Sequence, residues 1–328
     1  MFKHHLATAL LAIASFGSAA AIAQDKPVTF RFAHTLPATD SQNIAALDFA
    51  KRVEARSNGQ IKVRVFPNGA LGNDGTLVTG VRSGTIDIGV TGNPFLTGIS
   101  PNLNVLDLPY LFENEAQAFK VLDGPTGRGL LDDLDNYGLK GLAFWEIGFR
   151  SFANNKKPVG QAADISGLKV RTTPNPAHIK AFELLGANPQ PMAFTEVYTA
   201  LESGAIDGHE NPPTLILSSK MYEVQKHLSL TRHAYTAGLV FMNKRKFDKL
   251  TPENQQIMLE EALRAAGYQR ELNAKNQEAA LKELQQHGVE INANPDIESI
   301  RKIVKGPVHA EFTAKYGDKI LKAIQGQP

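Results

Sequence analysis

Two short patterns occur twice in this chain, and in the same order. Ile61-Lys-Val-Arg-Val-Phe-Pro67 returns as Leu168-Lys-Val-Arg-Thr-Thr-Pro174, and Arg82-Ser-Gly-Thr-Ile-Asp87 returns as Glu202-Ser-Gly-Ala-Ile-Asp207. Each copy runs from a strand-suited segment through Pro and turn residues into a helical pattern ending at Gly, then into another short apolar segment with Asp. A strand–helix–strand unit written twice predicts two similar α/β lobes with a crevice between them, a natural place for a small molecule. The alternative is a chance match of two short segments in a mixed α/β chain.

The surrounding pattern fits a doubly wound beginning. Val28–Ala33 alternates apolar and polar residues and reads as a strand; a helical pattern from Ser41 with Ile44, Leu47, Phe49 and Val53 ends at Asn58-Gly59. Ile61–Phe66 is a second strand, Thr76–Arg82 a helix stopped by Gly84, and Ile86–Val90 a nearly continuous apolar strand of the kind buried on both faces of a parallel sheet. Leu142–Ile147 is expected to start the second lobe's sheet and Leu168–Thr173 to extend it, with helices over Pro176–Leu185 and Thr195–Glu202 joined through a short connector at Met192–Phe194. Ala237–Met242 is strand-like and returns the chain to the first lobe. Thr251-Pro252-Glu253 is a strong helix start, and Gly288 is the next stop. A helix of about 36 residues would run roughly 54 Å, against about 38 Å for a lobe of ~150 residues. Either it bridges both lobes, or Gly267 kinks it or divides it into two ordinary helices.

The first residues point to export. Lys3, an apolar run from Leu6 to Phe16 and small residues ending in Ala21-Ile22-Ala23 read as a signal peptide cut near Ala23 and Gln24, so a periplasmic protein is expected. No later run of apolar residues is long enough to span a bilayer. The chain has no cysteine, which removes disulfides, thiol catalysis, thiolate metal sites and a lipidated cysteine anchor. The net charge is +2, and the signal segment contributes only Lys3 to it, so nothing favours nucleic acid or an anionic membrane as partner.

Enzyme and cofactor motifs are missing: no G-x-G-x-x-G opening a strand–helix unit, no G-x-x-x-x-G-K-[ST], no G-x-S-x-G, no H-E-x-x-H. The histidines beyond the signal segment form no ligand-spaced cluster, and Asp133 to Gly138 approximates a calcium loop whose twelfth position is Phe144 instead of an acid. No metal and no cofactor is expected. Arg171 ends a strand just before a Pro-rich turn, where ligands of open α/β sheets bind; a guanidinium there grips a carboxylate with two parallel hydrogen bonds, or else makes a surface ion pair. Arg150 could add a second charge, and Asn211 in its proline-flanked turn could donate to a ligand oxygen or cap the turn.

Gly167-Leu-Lys-Val-Arg171, Leu185-Gly-Ala-Asn-Pro189, Pro191-Met-Ala-Phe194, Glu196-Val-Tyr198 and Asp207-Gly-His-Glu-Asn-Pro212 resemble the substrate-binding subunits of tripartite ATP-independent periplasmic (TRAP) transporters, the DctP type. Phe32-Ala-His34, Leu71-Gly-Asn-Asp74, Ser83-Gly-Thr-Ile-Asp87, Leu108-Pro-Tyr110 and Tyr222-Glu-Val-Gln225 extend the likeness in order along the chain. The resemblance implies a two-lobed α/β periplasmic-binding-protein fold of the Venus-flytrap kind, with a long helix bridging the lobes. It implies that Arg171 pairs with a ligand carboxylate, that Asn211 and Arg150 help to hold it, and that Phe194 forms an apolar wall. In the first lobe His34, Thr35, Asp74 and Asn93 are candidates by position, and Glu146 could bond a ligand hydroxyl. Thr91-Gly-Asn-Pro-Phe95 stands where sialic-acid binders carry an acid and an arginine, which argues against sialic acid.

The expected division is a signal peptide over 1–23, a first lobe of 24–147 plus about 237–265, and a second lobe of 148–236 plus about 266–328, with the long helix over about 252–287. The expected function is capture of a small organic acid anion (C4-dicarboxylate, 2-oxo or aromatic acid, or sugar acid) and delivery to TRAP permease subunits in the membrane. A monomer is expected. The alternatives are a periplasmic lyase or isomerase acting on a carboxylate, and a ligand sensor for a signalling receptor.

Overall fold

A computed structural model describes residues 27–326; the expected signal peptide and its cleavage site lie outside the described residues. In chain order the elements are β1 (Val28–Ala33), α1 (Ser41–Arg56), β2 (Ile61–Phe66), α2 (Asp74–Ser83), β3 (Ile88–Gly92), α3 (Glu115–Asp123), α4 (Pro125–Asp133) and β4 (Leu139–Asn154). There follow β5 (Lys169–Thr172), α5 (Pro176–Leu184), β6 (Asn188–Pro191), α6 (Val197–Glu202), β7 (Gly208–Asn211), α7 (Pro213–Ser218) and β8 (His227–Asn243). The chain closes with α8 (Lys244–Asp248), α9 (Pro252–Gln286), β9 (Glu290–Asn292), α10 (Ile297–Tyr316) and α11 (Lys319–Ile324).

The strands form one sheet in the order β2-β1-β3-β8-β4-β7-β5-β6, with β9 beside β8. Each lobe is wound alike: β1-α1-β2-α2-β3 gives the parallel order β2-β1-β3, and β5-α5-β6-α6-β7 gives β6-β5-β7. The second sequence echo is a true structural repeat. Asp87 accepts from the Arg31 backbone N–H at 2.7 Å and Asp207 from that of Lys169 at 2.8 Å, each aspartate preceding the third strand of its lobe and holding the first. The first echo is not. It matches β2 with β5, but β5 occupies the place of β1 in the winding. Apolar–basic alternation is common to strands in general, and the two copies live differently: Arg64 is exposed on the edge strand β2, while Arg171 is buried in the central strand β5.

Two long antiparallel strands, β4 and β8, belong to both lobes. Leu139–Glu146 pairs with the half of β8 that lies beside β3, and Ser151–Asn154 pairs with β7. Leu142–Ile147 therefore lies on the first lobe's side of the sheet and does not start the second. The β4–β8 register slips between Glu146 and Gly148 and again between Arg150 and Phe152, and Gly148 has φ 120°, a conformation that side chains disfavour. The strands thus bend where they pass from one lobe to the other.

Helix α9 runs from a Thr251 cap through Gly267 to Gln286 without a break, about 52 Å at 1.5 Å per residue. Its first half buries Ile257, Met258, Ala262, Ala265 and Ala266 against Phe32, Phe49 and Trp145 of the first lobe; Leu284 near its end packs into the second lobe's core with Val197, Ile216 and Leu228. At the crossing, the Gln269 amide takes the Glu146 N–H and donates to the Glu146 carbonyl, both at 2.9 Å. Trp145 is a core residue whose indole N–H donates to the Ala262 carbonyl at 3.0 Å.

Glu261 fastens α9 to α1. It accepts from Arg52 Nε at 2.6 Å, Arg56 Nη1 at 2.9 Å and Arg264 Nε at 3.0 Å. Burial opposes its charge, but the bonds from Arg52 and Arg56 prevail and hold the carboxyl below the ordinary glutamate range. A depressed folded-state pKa stabilises the protein at neutral pH, and that contribution is lost as the pH falls through it. Glu261→Gln is therefore expected to lower unfolding stability by about 1–2 kcal/mol at pH 7. In denaturant titrations the gap from wild type should close below about pH 4, where the unfolded glutamate also protonates; a pH-independent gap would mean that the residue acts through packing alone.

Candidate functional site

The lobes meet around a cleft lying over the β4–β8 crossing. Across it the Phe194 N–H donates to Asp74 Oδ2 at 3.0 Å, and outside it Ser218 Oγ donates to Asp40 Oδ2 at 2.9 Å. The first lobe lines the cleft with Thr35, Gln42, Asp74 and Thr91, the second with Arg171, Thr173, Phe194 and Asn211, and the crossing strands with Ile147, Arg150 and Thr236.

Arg171 stands at the carboxyl end of β5, only 1% exposed. Nε and Nη2 both donate to the Met192 carbonyl, at 3.1 and 2.8 Å, which fixes one edge of the guanidinium. Among the described residues no carboxylate pairs with it, so its other edge, Nη1 with the second N–H of Nη2, is free to hold an anion end-on. Burial first, then the neighbouring Arg150 charge, push its pKa down to about 10, so it remains cationic at neutral pH.

Arg150 has a different status. It is bound by both oxygens of the fully buried Glu210, with Nη2 at 2.8 Å from Oε1, and it also donates to the Asn211 side-chain oxygen at 3.0 Å and to Thr236 Oγ1 at 3.3 Å. Burial opposes the charge on Glu210, but Arg150 beside it prevails and holds the carboxyl well below its usual range. Arg150 therefore lines the cleft with its charge already neutralised and is not a second free cation. Sequence spacing carried no sign of Glu210 as its partner, 60 residues away.

Asn211 uses its oxygen on Arg150 and one amide N–H on His209 Nδ1 at 2.9 Å, leaving one N–H for the cleft. Burial, then Arg171, depress His209 to about 3, so the ring is neutral and Nδ1 can accept. Phe194 contributes its ring as a wall and its backbone N–H to Asp74. Asp74 also accepts from Thr35 at 2.9 Å and Thr91 at 2.6 Å.

Three candidates from the sequence lie away from the cleft. His34 points to Asn43 at 3.2 Å and is pushed down to about 4 by burial; its neighbour Thr35 is the residue that reaches the cleft. Asn93 begins a turn after β3 and is consumed structurally, donating to Asp107 at 2.7 Å and accepting the Ala237 N–H at 3.1 Å. Glu146 lies on the face of β4 opposite Ile147, as strand alternation requires, and accepts from Asn273 of α9 at 3.1 Å; burial pushes its pKa up to about 7. Sequence reasoning missed Gln42, Thr173 and Thr236. Thr91 lies two residues before Asn93, the candidate that position in the sequence offers from this segment.

The chain matches the DctP family, described as bacterial extracellular solute-binding protein, family 7, over residues 32–315. It is 42% identical over 314 residues to the 2,3-diketo-L-gulonate-binding periplasmic protein YiaO of Escherichia coli K12, covering 95% of this chain and 94% of that one. Among solved structures, a TRAP periplasmic solute-binding protein from Polaromonas sp. JS666 bound to D-erythronate is similar with a TM-score of 0.89 and 36% identity, covering 92% of this chain and 99% of that one. The sugar acid binding protein DctPAm from Advenella mimigardefordensis, in complex with galactonate, gives 0.88 and 37%, with 92% and 97% covered.

Glu210→Gln should leave Arg150 as a buried, uncompensated charge. An unfolding stability lower by about 3–5 kcal/mol is expected in denaturant titrations at neutral pH. A loss under about 1 kcal/mol would mean that solvent reaches Arg150 and that its charge is available after all.

Proposed function

The chain belongs to the DctP family of TRAP transporter solute-binding proteins, whose members are extracytoplasmic, and we propose that it captures a small carboxylate-bearing acid between its lobes for a membrane permease. One observation carries this reading: a guanidinium almost completely removed from water, anchored along one edge by the Met192 carbonyl and open to the cleft along the other. A cation buried without an anionic partner is costly, and a ligand carboxylate supplies that partner. The remaining N–H of Asn211 donates to the same group, and Phe194 covers the carbon skeleton. The signal peptide expected over residues 1–23 would bring the chain to the periplasm, where it acts as a monomer and surrenders the acid to permease subunits driven by an ion gradient.

The ligand leaves unchanged. Of the titratable groups lining the cleft, Asp74, Arg150 and Arg171, two are guanidiniums, so Asp74 has no second acid or base beside it for turnover.

Carboxylates are expected to raise the thermal midpoint, and the matching amides are not; stabilisation by neutral sugars alone would refute the ligand class. Arg171→Ala should weaken binding by roughly a hundred- to a few-thousand-fold, because the ligand carboxylate then has no ionic partner in a desolvated cleft. Arg171→Lys should recover only part of this, since an ammonium keeps the charge but loses both the fork and the anchor at Met192. Calorimetric titration of both variants, with circular dichroism for folding, measures this. Binding by folded Arg171→Ala within about threefold of wild type would assign Arg171 a purely structural role.

A further inference from the structure

The cleft is asymmetric in charge and in hydrogen-bonding sense. At the second-lobe wall Arg171 is the lining cation left without an anion, since Arg150 is committed to Glu210. At the first-lobe wall there is no Lys, Arg or His among the lining residues; the ionisable group there is Asp74. Its three partners, Thr35, Thr91 and the Phe194 N–H, are all donors, as an ionised carboxylate requires, and its oxygens have room for a further donor. Gln42 adds to this wall. Its Nε2 donates to the Glu146 carbonyl at 3.0 Å, which fixes the amide orientation and leaves Oε1 as a second acceptor. The second-lobe wall of the cleft thus takes one carboxylate, and the first-lobe wall offers acceptors.

Resting on the carboxylate-receptor reading above, we infer that the cleft selects hydroxylated monocarboxylic acids over the corresponding dicarboxylic acids, with Asp74 as the residue that sets the choice. A ligand hydroxyl has a proton to give Asp74 or Gln42; a second carboxylate has none. In a desolvated cleft that second carboxylate would lie near Asp74 with no cation to pair with, so its lost hydration is not replaced. Steric fit hardly enters the choice, because a terminal hydroxymethyl and a terminal carboxylate differ little in size.

Matched pairs isolate the effect. Calorimetric titration at pH 7 of galactonate against galactarate, and of D-erythronate against meso-tartrate, changes one terminal carbon from alcohol to carboxylate while the rest of the skeleton is kept. Within at least one pair the monoacid should bind tighter by about tenfold or more, equivalent to ~1.4 kcal/mol. Equal or tighter binding of the diacid in the pair that binds would overturn the inference while leaving the receptor reading intact. Failure of both pairs alongside failure of every other carboxylate would remove the receptor reading itself, and binding of unhydroxylated succinate in place of the monoacids would overturn the inference alone. Asp74→Asn supplies the second arm. Its oxygen can still accept from Phe194, and its amide can donate to Thr35 and Thr91, so the contact between the lobes persists as the charge goes. The monoacid-to-diacid ratio should shrink severalfold in this variant, with circular dichroism to establish folding. An unchanged ratio would mean that Asp74 does not set the choice.

Discussion

The antiparallel pairing of β4 with β8 is the constraint on which the rest of the structure depends. These strands are long enough to serve both lobes, so neither lobe's sheet is complete without a segment of chain that also belongs to the other. The register slips near Gly148 and Arg150 fall at the crossing, and strand alternation there sends Ile147 and Glu146 to opposite faces. One face becomes the floor of the cleft. The other is held by Gln269 and Asn273 of α9, so the helix that braces both lobes grips them where the strands bend.

Electrostatics in the cleft follow from which charges find partners in the fold. Arg150 and Arg171 are both buried within one site and, by number alone, would present two positive charges to a ligand. Glu210 cancels one of them. Because removing an ion from water costs several kcal/mol unless it is paired, the unpaired Arg171 is the group whose surroundings improve most when an anion enters. The same rule applies at Asp74, whose carboxylate accepts from three donors and, among the described residues, makes no salt bridge.

Closure and recognition share atoms. The Phe194 N–H that bonds Asp74 belongs to the residue whose ring walls the cleft, and the Met192 carbonyl two residues earlier anchors Arg171. The Pro191–Phe194 connector therefore couples the anion seat of one lobe to a carboxylate of the other, a connection too long in sequence for local patterning to reveal.

Local chemistry in the sequence determined the elements and much of the winding: strand alternation in Val28–Ala33 and Ile61–Phe66, glycine stops after α2 and α6, the Thr251 cap of α9, and the repeated Ser-Gly-x-Ile-Asp turn whose aspartates hold equivalent strands. These signals act over a few residues, which is why one chain read alone carries them. The same locality misled where the pattern was generic, as in the Lys-Val-Arg echo that linked an edge strand to a central one. Arg171, Asn211, Phe194, Thr35 and Asp74 were legible as cleft residues through motif and position, whereas His34, Asn93 and Glu146 were not separable from their neighbours until side-chain direction was known. Only the tertiary structure decided which arginine is free. The pairing of Arg150 with Glu210 and the approach of Asp74 to Phe194 span 60 and 120 residues, and a buried charge is defined by the partners that folding brings to it.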